Sequence, residues 1–243
     1  MKEKGLFLSF LTLMILALSS CVHVFENSIS GSGNVVHEIR NVGSFVGLKA
    51  EAGLNVYLNL EESSEEVEVV ADENLQSIIR TEVKNGILYI EAERSIRRSA
   101  SKDIYVSSSA LRSVEVSSAA HVQGEGVLTG DMLDLQVSSA GIAELRVDLK
   151  ILDAELSSAG RAELEGSAGE VSVEASSAGT FNGYDLECRA AFLEASSAGT
   201  IKVVVLEELS AEASSAGSIS YMGNPATKRI NTSSGGSVRE RNN

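Results

Sequence analysis

Tryptophan is absent from this sequence, proline occurs once, and there are two cysteines and three histidines. Aromatic residues make up only 5% of the chain. A core built around a few large rings is therefore excluded. The 43% hydrophobic share must fill the interior with small aliphatic side chains. Two cysteines exclude a disulfide scaffold and any cysteine-rich zinc module. His23, His37 and His121 are too scattered for a metal cluster from one local segment, so neither a metal nor another cofactor is expected. Basic residues are also scarce, 20 Lys and Arg against 34 Asp and Glu, for a net charge of -14. That balance excludes nucleic-acid binding by charge neutralisation, and docking on an anionic lipid surface through charge.

The chain opens with Met1-Lys2-Glu3-Lys4, followed by an almost wholly apolar stretch over residues 6–18. That stretch is too short for a spanning helix, which takes about 20 residues, and suits the apolar region of a secretory signal. It ends in Leu18-Ser19-Ser20-Cys21, which resembles the bacterial lipobox. Residues 1–20 are thus expected to be a lipoprotein signal peptide. Cys21 is the expected site of lipid attachment, and residues 21–33 a tether. With Cys21 lipidated, Cys188 has no intramolecular partner, so no disulfide is expected.

The rest of the chain is governed by an internal repeat. The tetrapeptide SSAG begins at Ser138, Ser157, Ser176, Ser196 and Ser214, with SSAA at Ser117 and SSGG at Ser233. Successive copies are 18 to 21 residues apart. Apolar residues alternate before each copy, as in Leu133, Leu135, Val137 and in Val171, Val173, Ala175, which is the period of a strand with one buried face. A second apolar strand follows each copy. A unit of about 19 residues cannot bury its apolar face alone and must stack on its neighbours. The expected fold is all-β, a parallel β-solenoid (β-helix) with about 19 residues per coil. Residues 108–243 form its regular coils, and residues 34–107 form irregular β-rich first coils or a cap. Asn85-Gly86 signals a hairpin, and residues 72–76 one helical turn.

Two columns follow from the alternation. Carried through the corner, it points the second serine of each copy inward, at Ser139, Ser158, Ser177, Ser197 and Ser215, with glycine supplying the backbone angles of the bend. Two residues before each copy it points outward a column of Glu115, Gln136, Glu155, Glu174, Glu194 and Glu212. This acidic ladder is the candidate site, for a cation or for a basic partner. A single column is a poor calcium site, because that ion takes six to eight oxygens.

Together these features resemble the head GIN domain family of adhesins, carried on bacterial envelope proteins. The resemblance rests on Gly31-Ser32-Gly33-Asn34-Val35-Val36, Phe45, Val56-Tyr57-Leu58 and Ala71-Asp72-Glu73-Asn74-Leu75. It rests also on Asn85-Gly86-Ile87-Leu88-Tyr89-Ile90, the serial corners and Tyr221-Met222-Gly223-Asn224-Pro225. It covers residues 31–238, with SSAG where the family's corners are Ser-Gly-Ser-Gly-like. It implies a right-handed β-helix on a lipoprotein and an adhesive role, and it offers no catalytic residues to carry over. The expected protein is a non-enzymatic, lipid-anchored binding module of the cell envelope, at the outer membrane. Its partner would be a glycan or another protein, in addition to the membrane held by the lipid. Two other readings are a carbohydrate-active β-helix enzyme and an envelope scaffold without external ligand. Ser99-Ala100-Ser101-Lys102 matches the Ser-x-x-Lys acyl-enzyme motif but leads into a strand rather than a helix, and its partner motifs are missing.

Overall fold

A computed structural model describes residues 28–241. The expected signal peptide, Cys21 and most of the expected tether therefore lie outside the described residues. Nineteen strands and a single 3-10 turn, Glu73–Leu75, make up the regular structure of this part. In chain order the strands are β1 (Ile29–Ser30), β2 (Val35–Asn41), β3 (Gly47–Ala50), β4 (Asn55–Asn59), β5 (Glu66–Asp72), β6 (Ile79–Lys84), β7 (Ile87–Ala92), β8 (Ile96–Arg98) and β9 (Lys102–Ser107). The repeats hold β10 (Ser113–Val116), β11 (His121–Glu125), β12 (Leu128–Val137), β13 (Ile142–Leu156), β14 (Arg161–Ala175), β15 (Thr180–Ala195), β16 (Thr200–Ala213), β17 (Ser218–Met222), β18 (Thr227–Thr232) and β19 (Ser237–Glu240).

From residue 113 onward every strand pairs in parallel with the equivalent strand one coil away, so the repeat is a β-solenoid of about 19 residues per coil. One sheet runs β6, β7, β3, β10, β12 and on through the segments before each corner to β18. The other runs β2, β5, β9, β4, β11 and on through the segments after each corner to β19. Between them lies one core of stacked apolar columns. Leu135, Ala154, Val173, Leu193 and Ala211 form one column, and Ala143, Ala162, Phe181, Ile201 and Ile219 another, all buried. Phe181 fits because alanines precede it in its column and Gly183 lies beside its ring, where a Cβ would come within 2.7 Å of the ring edge.

The corners are tight turns, and their geometry corrects the sequence expectation. In each SSAG the second serine and the alanine both take left-handed backbone angles, as at Ser139 (φ 49°) and Ala140 (φ 60°). The glycine N–H closes the turn onto the first serine's carbonyl, at 2.8 Å for Gly141 to Ser138, in the type I′ arrangement. Strand alternation therefore stops at the first serine. Ser139, Ser158, Ser177, Ser197 and Ser215 are exposed rather than inward. Nor does the glycine provide positive φ. It is buried where the preceding corner presses on it: a Cβ on Gly141 would lie 2.6 Å from the Val116 carbonyl oxygen, and one on Gly179 would lie 2.5 Å from that of Leu156. Each corner is also bonded to the next, as Ala140 N–H donates to Ser158 O at 3.0 Å and Arg161 N–H to Gly141 O at 2.9 Å.

The N-terminal region stacks out of chain order. The coil of β3 and β4 lies against the first repeat coil, whereas the later β7 and β9 sit on its far side. Antiparallel β5, β6 and β2 then extend the two sheets beyond it. Asn85 (φ 53°) and Gly86 (φ 78°) form the β6–β7 hairpin turn, as expected. At the opposite end the core columns run out into Lys228, Ile230 and Thr232, all exposed. Lys228 Nζ and Tyr221 OH both donate to Glu240, at 3.4 and 2.9 Å, placing polar groups where a further coil would stack.

Candidate functional site

The acidic ladder stands in one register. Glu115 pairs with Gln136, Gln136 with Glu155, Glu155 with Glu174, Glu174 with Glu194, and Glu194 with Glu212. It arises because each of these residues lies two positions before the corner's first serine, on the outward side of a strand whose flanking residues are core. Parallel pairing then sets the rungs about 4.8 Å apart. All but the half-buried Glu115 are exposed. Each first serine also points outward, one alternation further on, so Ser138, Ser157, Ser176, Ser196 and Ser214 form a second, half-buried column beside the carboxylates. A shallow groove follows the two columns. It has a free volume of about 270 Å³ over Gln136, Glu155, Ser138 and Ser157, and about 150 Å³ over Glu194, Glu212, Ser196 and Ser214.

Two ends of the ladder were not read from the sequence. Its head is Lys49, in register with Glu115, whose Nζ lies 2.7 Å from Glu115 and 3.2 Å from Glu51. The hydrogen bond to Glu115 holds the Lys49 ammonium above its ordinary value, against the pull of burial and with help from Glu51. Its foot is Asn231, paired with Glu212. The head was hidden because its corner, Glu51-Ala52-Gly53-Leu54, carries no serine. Ala52 (φ 62°) and Gly53 (φ 65°) nevertheless form the same turn, and Gly53 N–H bonds Ser118 O at 2.8 Å. Lys49 keeps the offset of the glutamates, two residues before the turn.

The remaining candidates do not join this site. His37 on β2 is exposed and meets Glu68 at 2.8 Å, while His121 on β11 lies 3.5 Å from Glu144. Ser99 sits in the connection before β9, and Ser101 donates to Val70 O at 2.6 Å, so Ser-x-x-Lys leads into a strand. Cys188 is buried in the core, and burial pushes its thiol up to about 12. Among the described residues no group of three or more His, Cys, Asp and Glu is placed to hold a metal ion.

Two of the motifs that carried the family resemblance, residues 31–36 and 71–75, meet in a clasp. The buried Asp72 carboxylate accepts backbone N–H bonds from Gly33, from Ala100 at 2.7 Å and from Ser101 at 3.2 Å. Burial pushes this carboxyl up, but the three donors outweigh it and hold it below its ordinary value. Asn74 bonds Ser32 N–H and Ser30 O, and Asn34 bonds Glu73. A side chain on Gly31 would collide with Asp72. These residues fasten the end of the solenoid.

The fold is a parallel solenoid whose outer faces carry side chains in register from coil to coil. Residues 44–225 match the family described as "putative auto-transporter adhesin, head GIN domain", and the chain belongs to that family. No curated protein matches it. Among solved structures, it is similar to a "putative adhesin" from Bacteroides fragilis, with 21% identity and a TM-score of 0.81 over 88% of this chain and all of that one. A "putative adhesin" and a "putative lipid binding protein" from Parabacteroides distasonis each share 19% identity, over 88% of this chain and all of theirs, with TM-scores of 0.69 and 0.70. At these identities the likeness shows the fold.

Proposed function

We propose that this protein is a non-enzymatic adhesin of the bacterial outer membrane, anchored by lipid on Cys21, that engages a basic protein partner through its acidic ladder. The in-register column of exposed glutamates carries this reading. Five carboxylates and one amide in a straight line give a rigid, repeated acceptor surface, and weak contacts to successive rungs add when one partner spans several. Carboxylates only accept hydrogen bonds, so the partner must bring donors. One column cannot surround an ion, which favours an extended cationic surface over bound calcium. The family and the neighbouring adhesins support an external partner, and Leu18-Ser19-Ser20-Cys21 supports the anchor.

The test is attachment of intact cells to a partner-bearing surface. Protease shaving should remove the solenoid from whole cells. Attachment should fall when the gene is deleted and when Glu155, Glu174, Glu194 and Glu212 are changed together to Gln, and should weaken with salt. Attachment unchanged by the fourfold variant would contradict the ladder's role, and protection from shaving would contradict surface display.

A further inference from the structure

A second outward column, on the sheet after the corners, carries different chemistry. Across the strands it reads Ile39, Glu68, Tyr105, Tyr57, Gln123, Glu144 and Glu163. Tyr57 and Tyr105 stack with ring centroids 5.1 Å apart and planes inclined by 19°. Tyr105 is 45% exposed and Ile39 67%. Aromatic residues are rare in this chain, yet two of its five tyrosines lie together on its surface. Beside them is a groove of about 270 Å³ with Glu66, Glu68, Glu125 and Asn59 at its rim. It shares Glu125 with a groove of about 580 Å³ that continues over Gln123, Glu144 and Glu163. Of the basic side chains facing this track, Arg146 is held by Glu165 at 2.7 Å and His37 by Glu68 at 2.8 Å, while the His121 ring lies 3.5 Å from Glu144.

We infer that this track binds a linear saccharide chain that is uncharged or carries amino groups, stacked against the Tyr57–Tyr105 pair. Tyrosines offer an apolar body and a polar tip, suited to a ligand with carbon faces and hydroxyls. The charged groups at the rim are mainly carboxylates, which only accept, so the ligand must bring hydrogen-bond donors, and acidic sugars are repelled. The two adjoining grooves fit a chain rather than a single small molecule. A peptide fits less well. Tyr57 lies three strands inboard of the free edge of β2, about 14 Å away, beyond the reach of strand addition. A peptide laid across the face would turn its carbonyl oxygens toward acceptors, whereas each sugar hydroxyl can rotate to donate. The inference rests on the adhesin reading in requiring an external ligand, but it uses none of the glutamate ladder.

Binding can be followed by tyrosine emission, since no tryptophan masks it, using the full chain in detergent micelles. The probes are cellohexaose, a chitosan hexamer, hexagalacturonate and hexalysine. At least one of the first two should bind with a dissociation constant of about 1 mM or tighter. Tyr105→Thr, which keeps strand propensity, and Glu125→Lys, at an exposed rim position, should each weaken it about tenfold. Glu194→Gln with Glu212→Gln should leave it unchanged. The proposal is overturned if the folded protein binds neither saccharide, if binding survives both track variants, or if hexagalacturonate or hexalysine binds more tightly. Saccharide binding with ladder-independent attachment would refute the ladder reading alone. The converse would refute this one alone.

Discussion

The two ends of this molecule are held together by different means. In the repeats, stability is distributed: every coil supplies the same apolar columns, the same corner and the same bonds to the next corner. In the N-terminal region it is concentrated. Asp72 gathers three backbone donors, and Arg40 reaches Ile79 O at 2.7 Å and Gln76 O at 2.8 Å, while Gln76 bonds Val69 O at 3.0 Å. Chain order is broken there and antiparallel strands appear. A solenoid needs a coil that does not invite another coil onto its end, and a unique polar clasp supplies what repetition cannot. The regular part can afford identical side chains at each level, so it bears the ladder.

The sharpest way to break this contrast is at a corner glycine. Gly179→Val forces a side chain onto the Leu156 carbonyl of the preceding corner and is expected to cost about 3 kcal/mol in denaturant unfolding. An unchanged midpoint would mean the corners do not press on one another. Asp72→Ala leaves the N–H groups of Gly33, Ala100 and Ser101 without their acceptor and is expected to cost about 1–3 kcal/mol. Hydrogen exchange should speed up in residues 28–41 and 96–103 and stay slow in the repeat coils. Because the folded Asp72 carboxyl lies below its unfolded value near 3.8, its contribution is present above that pH and is lost as pH falls through the folded value. Acid should therefore loosen the N-terminal clasp, and Asp72→Asn should flatten that part of the pH profile.

Smaller effects separate the residues within one corner. Ser177 (φ 48°) and Ala178 (φ 64°) hold angles that disfavour a side chain, so Ala178→Gly is expected to gain about 0.5 kcal/mol where Gly179→Val loses several times that. Loss of stability on Ala178→Gly would contradict the turn geometry. Smallest of all, Glu174→Gln should raise the melting temperature slightly by removing exposed like-charge contacts worth about 0.2 kcal/mol per adjacent pair. That gain should vanish at high salt.

The ladder was legible because it needs only local facts: a repeat, a period of two and an offset from a marked corner. Parallel pairing then converts equal offsets into one column. The serine column was misread because the count assumed extended backbone through the corner, and neither serine nor alanine announces a left-handed residue. The Glu51-Ala52-Gly53 corner escaped because geometry, not serine, defines the turn. The clasp and the tyrosine pair depend on pairings between distant segments. Tyr57 and Tyr105 meet only because β9 returns to stack on β4, against chain order, and no periodicity encodes that return.

The central claim is that successive coils stand in strict vertical register. Spin labels at Gln136→Cys and Asn231→Cys, in a Cys21→Ser chain whose Cys188 is buried, report it directly. Five coil spacings separate these rungs, so the labels should give one narrow distance distribution centred at about 24 Å. A broad distribution, or a separation beyond about 40 Å, more than eight spacings of a straight column, would contradict the single column and with it the ladder.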